Sequence, residues 1–363
     1  MALVKIINSS LECSLTKGSN ALKKPLQLKH DKKNQTYIIA DMACSHEGKC
    51  SLARKIIDGA GQAGADAIQF QIWILNKIMV PHHPDFKRVS SLELSRPQWA
   101  SLMSYTREKY PYMKIIACVY EQESVDFCET EGVDAYKIHT SDLSNPDLIK
   151  YVAKTDKRID LSVGGSTIDE IKTAVEWIRS AMSYKIWLMY GLQNFPSPTN
   201  EVHLRYMLKL KELFELPMGY QDHSDANTEA GFWLCASALG MGIDILENHI
   251  THNRSLGGVD HEAALNPDEF AHFVTMVRTI EGALGTSIPR PFNADELKYR
   301  KYAKKSLVAS RRIATGTRLT PQDLTAMRSD ELGLPPDKIG LLIGRAATRE
   351  IQAYQLLKES DIK

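Results

Sequence analysis

Two segments in the second half of the chain carry histidines in surroundings that suit metal chemistry. Gly219 to Ser224 places His223 directly behind a short apolar stretch, and Leu246 to His249 repeats that pattern with a glutamate beside the histidine. Two converging imidazoles with nearby carboxylates are typical of a divalent transition metal that keeps open positions for water and substrate. Two structural histidines are the alternative, and the residues alone leave it open.

The elements around these segments would bring the two histidines together. Short apolar strands are predicted at residues 216–220 and 243–246, with a helix of small residues at 230–239 between them. A strand, a helix and a second strand of this length form a parallel pair. Both histidines would then lie at the same end of one sheet.

The same alternation of strand and helix extends through most of the chain. Further strands are predicted at residues 37–40, 66–71, 114–119, 135–138, 158–163 and 185–190, each followed by a helix. Eight such units in roughly 250 residues predict an α/β protein with a (β/α)8 TIM barrel. An open doubly wound sheet is the alternative, but no glycine-rich nucleotide fingerprint follows the first strand.

The alternation of strand and helix stops after Pro291, and the predicted elements that remain are short and rich in turns. We therefore predict an N-terminal extension at 1–35, a catalytic TIM barrel at 36–288, a linker at 289–303 and a small β-rich domain at 304–363. A domain of about 60 residues has little core of its own, so it is expected to dock on a larger surface.

Composition excludes several classes of partner. The formal net charge is +1, which gives no reason to expect nucleic acid or an anionic membrane. No apolar run is long enough to span a membrane, and the first residues lack a signal-peptide core. Six cysteines in 363 residues show no disulfide framework, so a cytoplasmic protein with free thiols is expected.

Chemistry in a TIM barrel collects at the carboxyl ends of the strands, and these ends are polar here. Lys137 is suited either to a Schiff base or to binding a carboxylate or phosphate. His139 is interpreted as structural. The polar residues at the strand ends are Asp41, Gln71, Cys118, Lys137, Thr140, Asp142, Ser162, Gln193, Gln221, Asp222, His223, Glu247 and His249.

An ordered series of motifs resembles the sialic acid synthase family. It includes Ile39-Ala40-Asp41, His46-Glu47-Gly48, Tyr136-Lys137-Ile138, Leu161-Ser162-Val163-Gly164, Phe195-Pro196-Ser197-Pro198, Gly219-Tyr220-Gln221-Asp222-His223, Leu246-Glu247-Asn248-His249 and Gly258-Val259-Asp260-His261. The tail from Lys304 to Ile362 resembles the antifreeze-like (SAF) domain of that family. The resemblance spans about residues 36–363.

The resemblance implies an activity. Members condense phosphoenolpyruvate with an amino sugar or related aldose, give a 2-keto-3-deoxy sugar acid and release phosphate. It implies a divalent metal, most often Mn²⁺ with Mg²⁺ or Co²⁺ possible, held by His223 and His249. It also implies a domain-swapped homodimer.

Residue roles follow from the same resemblance. Asp41 would position or deprotonate water and would be catalytic together with His223 and His249. Lys137, Thr140 and Ser162 fall on phosphoenolpyruvate-binding positions, and Gln71, Asp142 and Asp260 fall on positions that face the sugar. Gln69, Gln193 and Gln221 are expected among the substrate contacts, and Arg328 would reach the sugar in the partner's barrel.

Several positions depart from the family pattern at the donor end. Gln69 stands where the family has lysine, Cys118 where it has threonine or serine, and Gln221 where it has serine. Asp41 replaces a glutamate. Three interpretations remain: an ordinary synthase, a relative with an altered donor or acceptor, and a scaffold that binds sugar or metal without catalysis. Gln69, Cys118 and Gln221 lining one pocket would favour an altered donor site.

Overall fold

The computed structural model describes residues 35–181, 185–243, 245–285 and 289–363. The predicted N-terminal extension lies outside the described residues except for its last position. The chain divides into two compact units, Met1–Gly285 and Thr286–Lys363. No helix in the described ranges is long and apolar enough to cross a membrane.

The described part of the first unit is a closed parallel barrel. Its barrel strands are β1 (Tyr37–Asp41), β2 (Ala67–Ile72), β3 (Lys114–Val119), β4 (Ala135–Ile138), β5 (Arg158–Ser162), β6 (Ile186–Tyr190), β7 (Met218–Asp222) and β8 (Ile245–Ile250). Each strand pairs in parallel with the next in sequence, and β8 returns to pair with β1. A short strand, β9 (Ala264–Leu265), extends β8. The predicted TIM barrel is confirmed.

The helices of this unit connect the strands and cover the barrel. They are α1 (Cys50–Ala63), α2 (Leu75–Ile78), α3 (Phe86–Ser90), α4 (Arg96–Lys109), α5 (Gln122–Glu131), α6 (Pro146–Ala153), α7 (Ile168–Ser180), α8 (Leu204–Phe214), α9 (Ala230–Gly240) and α10 (Pro267–Leu284). Local sequence sets several of their ends. Thr167 and Glu170 form a capping box that begins α7, and Asn266 and Glu269 form another at α10.

Alternate residues of the strands pack on the two faces of the barrel wall. One set, including Ile38 and Ala40, packs in the main core with the helices. The other set, including Tyr37, Ile39 and Trp187, forms a separate buried cluster. The guanidinium of Arg158 lies 3.8 Å from the Trp187 ring centroid and pairs with the buried Asp160. These residues fill one end of the barrel and leave the carboxyl ends of the strands for a site.

The strand boundaries differ from prediction at β7 and β8. We predicted 216–220 and 243–246, whereas the strands run from Met218 to Asp222 and from Ile245 to Ile250. The polar residues after each apolar stretch therefore belong to the strands and are buried in them. A prediction from hydrophobic pattern assigns such polar residues to a loop. It cannot recognise polar side chains that are buried because they surround a site.

The second unit is small and has its own core. Helix α11 (Ala294–Ala303) falls within the segment predicted as a linker, and the antiparallel strands β10 (Lys305–Ala309) and β11 (Leu324–Arg328) follow. The core consists of buried aliphatic residues that include Leu307, Ile351 and Leu357. Isolated bridges such as Ile313 with Ile351 join the remaining turns.

Candidate active site at the carboxyl end of the barrel

A cavity of about 340 Å³ opens where the strands of the barrel end. It is lined by nine of the residues predicted to contact substrate, metal or water. They are Asp41, Gln69, Gln71, Lys137, Gln193, Gln221, His223, His249 and Asp260. Gln69, Cys118 and Gln221 all line this one cavity, which is the arrangement that favours an altered donor site over an ordinary one.

The two histidines lie side by side in the cavity wall. Their ring centroids are 5.0 Å apart, and the Phe195 ring lies 4.4 Å from His223 and 5.7 Å from His249. Both imidazoles are buried. Burial, followed by the charge of His249, holds the pKa of His223 well below its usual range, so His223 is neutral.

The hydrogen bonds of the histidines indicate which nitrogens are free. Nδ1 of His223 lies 2.5 Å from the carbonyl oxygen of Leu192, which can only accept, so Nδ1 carries the proton and Nε2 keeps its lone pair. Nδ1 of His249 is buried and has no hydrogen-bond partner in the described part of the chain. A free imidazole nitrogen on each ring is the donor set that a divalent transition metal requires.

The described residues do not form a complete metal site by themselves. Nowhere in these residues do three or more His, Cys, Asp or Glu side chains cluster closely enough to hold a metal ion. A metal on the two histidines would therefore take further ligands from water or substrate, which suits catalytic more than structural binding.

Asp41 stands beside His249 because β1 and β8 close the barrel. The register pairs Asp41 with His249, and the Asp41 Oδ2 atom lies 3.7 Å from His249 Nε2. Its other oxygen accepts from the backbone N–H of Ala43 at 2.8 Å. The carboxylate is thereby fixed with one oxygen facing the histidine.

A buried network forms the floor of the cavity. Lys137 Nζ pairs with Glu247 Oε1, and Gln221 Nε2 donates to that same oxygen at 2.8 Å. Burial opposes the charge on Lys137, but the carboxylates of Glu247 and Asp41 outweigh it, so the pKa of Lys137 is raised. Lys137 is therefore protonated and unsuited to a Schiff base.

Four of the predicted substrate residues, Thr140, Asp142, Ser162 and Arg328, do not line the cavity. The Ser162 hydroxyl donates to Gln221 Oε1 at 3.0 Å and accepts from Thr140 Oγ1 at 2.9 Å, so Gln221 and Thr140 engage it. Asp142 accepts from Asn145 Nδ2 at 3.0 Å. Arg328 ends strand β11 of the second unit and is exposed. The predicted substrate contacts of these residues stay predictions.

His139 was interpreted as structural, and its Nδ1 does accept from the backbone N–H of Ser141 at 3.2 Å, but its position in the cavity wall was not predicted. It lines the cavity with Lys137 because residues two apart along a strand direction share a face. Burial, followed by the charge of Lys137, lowers its pKa to about 4, so it is neutral in the cavity wall. The alternation of side chains along β4 was the available signal.

Glu247 is the residue whose importance the sequence analysis understated. It appeared there only as a strand-end residue, yet it is buried and holds both Lys137 and Gln221. Its Oε2 atom has no hydrogen-bond partner within the described ranges. The signal was the Glu247-Asn248-His249 spacing, which puts Glu247 and His249 on one face of β8. Arg88, Tyr120 and Val259 also line the cavity and were not predicted.

Comparison with known proteins decides the family. A model of the NeuB family matches residues 56–289, and a model of the SAF domain matches residues 304–363.

The chain belongs to the NeuB family.

Its relatives are named for the synthesis of sialic and related acids. The N,N'-diacetyllegionaminic acid synthase of Campylobacter jejuni is 28% identical over 90% of this chain and 99% of its own length. The human N-acetylneuraminate-9-phosphate synthase is 27% identical over 89% of this chain and 91% of its own length. The predicted enzyme type, a transferase like the sialic acid synthases, is confirmed at this level.

Solved structures of two related proteins are similar to this chain. The N-acetylneuraminic acid synthetase of Leptospira borgpetersenii, solved with citrate, has a TM-score of 0.67 and 28% identity over 74% of this chain and 92% of that one. The spore coat polysaccharide biosynthesis protein SpsE of Bacillus subtilis has a TM-score of 0.61 and 28% identity over 91% of this chain and 95% of that one. The predicted barrel followed by a SAF domain is therefore confirmed.

Proposed function

We propose that this protein condenses phosphoenolpyruvate with an N-acylated amino sugar or related aldose and releases phosphate. The product would be a 2-keto-3-deoxy sugar acid. The observation that carries the proposal is the convergence of His223, His249, Asp41 and Lys137 on one cavity of the barrel. The names of the relatives support the same reaction class.

The bonds balance with water as the only further reactant. Carbon 3 of phosphoenolpyruvate bonds to the aldehyde carbon of the sugar, whose oxygen takes a proton. Water bonds to carbon 2, and the resulting tetrahedral centre expels phosphate to leave the ketone. The net reaction consumes one water for each phosphate released.

His223 and His249 would hold a divalent metal, since each offers a free nitrogen, and the family resemblance favours manganese. When bound, that metal supplies Lewis-acid polarisation of the aldehyde carbonyl. Magnesium and cobalt are the other candidates. Neutral imidazoles are the form required for such binding.

The remaining side chains would position the reactants and move protons. Asp41 has one oxygen fixed by Ala43 and the other directed towards His249, which suits a carboxylate that orients water and removes its proton. Lys137 would attract the acidic donor, and Glu247 holds it in place. Gln71 and Asp260 line the cavity and would contact the sugar.

The test is phosphate release from phosphoenolpyruvate with manganese and a panel of aldoses that includes N-acylated amino sugars. Release that depends on the aldose and disappears in His223→Ala supports the proposal and identifies the acceptor class. Stoichiometric metal binding without release would refute the proposed donor.

By resemblance we further propose that Arg328 acts in a partner's barrel within a domain-swapped homodimer. The exposed position of Arg328 at the end of β11 is compatible with contact to another surface. Mixing inactive His223→Ala with Arg328→Ala tests this, because a heterodimer would contain one intact site. Failure of the mixture to recover activity, with subunit exchange demonstrated, would contradict action between subunits.

A further inference from the structure

Gln69 has an amide with two unsatisfied hydrogen-bonding atoms in the active-site cavity. Its side chain is fully buried and lines the cavity, and neither Nε2 nor Oε1 has a partner among the described residues. Leaving a buried polar group unpaired is destabilising. A bound group that pairs with both atoms would recover that cost.

The amide restricts what such a group can be. Nε2 only donates and Oε1 only accepts, so the complementary group must supply both an acceptor and a donor. A fully ionised phosphate has acceptors alone and would leave Oε1 facing an anion. A singly protonated phosphate has a P–OH donor beside its P–O acceptors.

The surroundings of Gln69 also lack uncompensated positive charge. The charge on Lys137 is balanced by Glu247, and Gln221 is neutral. Burial raises the pKa of the Cys118 thiol to about 12, so this thiol stays protonated. Apart from the metal proposed for His223 and His249, a doubly charged group would lose its hydration here without an unpaired cationic side chain to replace it.

Arg88 also lines the cavity, but its guanidinium pairs with Asp85 at 3.1 Å, so its positive charge is balanced as well. Asp41 on β1 pairs in register with Gln69 and is a carboxylate, and Tyr120 follows β3, where burial raises its pKa well above the usual range. The other titratable groups that line the cavity are Cys44, Arg88, His139, His223, His249 and Asp260.

We propose that Gln69 makes this enzyme bind its donor with the phosphate group singly protonated. Nε2 donates to a P–O oxygen, and Oε1 accepts from the P–OH. This inference rests on the proposed function, because it takes phosphoenolpyruvate as the donor. It makes Gln69 a specificity-determining residue for the charge of the donor.

The affinity for phosphoenolpyruvate should depend on pH, and this can be measured without turnover. Phosphate monoesters lose their second proton with a pKa of about 6, so above that value the singly protonated form falls about tenfold per pH unit. The dissociation constant of phosphoenolpyruvate should therefore rise about tenfold between about pH 7 and about pH 8. Oxalate does not change protonation in that interval and serves as the matched ligand.

The experiment is calorimetric titration of the manganese-loaded protein with phosphoenolpyruvate at both pH values, with oxalate as a competitor. We expect the tenfold weakening for phosphoenolpyruvate and less than about twofold for oxalate. Gln69→Leu should bind phosphoenolpyruvate at least about tenfold more weakly at the lower pH, because it removes both hydrogen bonds. Gln71→Leu, two positions along the same strand, should retain the pH response.

The outcomes separate the two proposals. Phosphoenolpyruvate binding that does not change with pH, or that weakens equally with oxalate, would overturn the inference and leave the proposed function standing. A full pH response in Gln69→Leu would also overturn it. If the wild-type protein binds oxalate but no phosphoenolpyruvate at either pH, the proposed donor itself is wrong.

Discussion

Lys137 and Glu247 form a buried ion pair that joins β4 to β8 across the floor of the cavity. Gln221 donates to the same carboxylate oxygen from β7, so three strands meet at one acceptor. Glu247 holds the Lys137 ammonium group beneath the proposed donor and balances its positive charge. Its energetics can be measured separately from catalysis.

Breaking this pair from one side should destabilise the protein. Lys137→Met leaves Glu247 as an uncompensated buried charge, which costs about 3–5 kcal/mol. Adding Glu247→Gln should recover a large part of that loss, because neither charge then remains. Chemical denaturation of the wild type, both single variants and the double variant gives the coupling energy. Strictly additive losses would show that the two groups do not interact.

Metal binding should depend on both histidines. Replacing His223 or His249 by alanine removes one of the two proposed protein ligands, and the manganese dissociation constant should rise at least about tenfold. Calorimetric titration measures this directly. His82→Ala, at an exposed position between α2 and α3, is the control. Unchanged affinity in both site variants would exclude the histidine pair as the metal site.

Asp41→Asn tests whether the carboxylate handles a proton. The amide retains an oxygen that can accept from Ala43, so the backbone contact is conserved while the base is lost. General-base catalysis contributes about 10²–10⁴-fold, and kcat should fall within that range. Manganese affinity should change much less, because Asp41 is not a proposed ligand. A kcat within about threefold of wild type would contradict a catalytic role for this residue.

A methyl group at Gly191 should disturb the floor of the cavity. A Cβ there would lie 2.3 Å from the carbonyl oxygen of Gln221, so the β7 backbone must move. Gly191→Ala should lower thermal stability and weaken phosphoenolpyruvate binding together. Gly282→Ala in α10 is the matched control, since its Cβ meets nothing within 4 Å and helix propensity favours alanine by up to about 1 kcal/mol. Equal behaviour of the two variants would show that the approach of Gly191 to Gln221 has no consequence.

Asp58 should make stability sensitive to acid. Partial burial favours its neutral form, but hydrogen bonds from Lys109, Tyr105 and Tyr110 outweigh burial and lower its pKa. A lowered folded-state pKa contributes stability above the unfolded value of about 3.9 and loses it as pH falls through the folded value.

Asp58→Asn should therefore cost roughly 1–3 kcal/mol near neutral pH, with the difference from wild type shrinking below about pH 4. Urea unfolding across this pH range measures it. Glu176→Gln, at an exposed position on α7, should match the wild type throughout. A difference for Asp58→Asn that does not vary with pH would assign its effect to packing.

The alternation of strands and helices was enough to predict the barrel, because buried parallel strands read as short apolar runs between amphipathic helices. The same reasoning misplaced the ends of β7 and β8, where Gln221, Asp222 and Glu247 are buried polar residues. It could not foresee that Gln221 would engage Ser162. Hydrogen bonds between side chains on different strands depend on strand register and side-chain rotamer. A hydrophobic pattern carries no information about either.

The closure of the barrel between β1 and β8 has a consequence for how the site comes into being during synthesis. Asp41 leaves the ribosome early and His249 much later, and they become neighbours only when the last barrel strand pairs with the first. Bringing ends so distant together is entropically costly and slow compared with local folding. A nascent chain that lacks β8 has neither His249 nor the contact between Asp41 and His249, so the complete site forms only after the last barrel strand has been synthesised and has paired with β1.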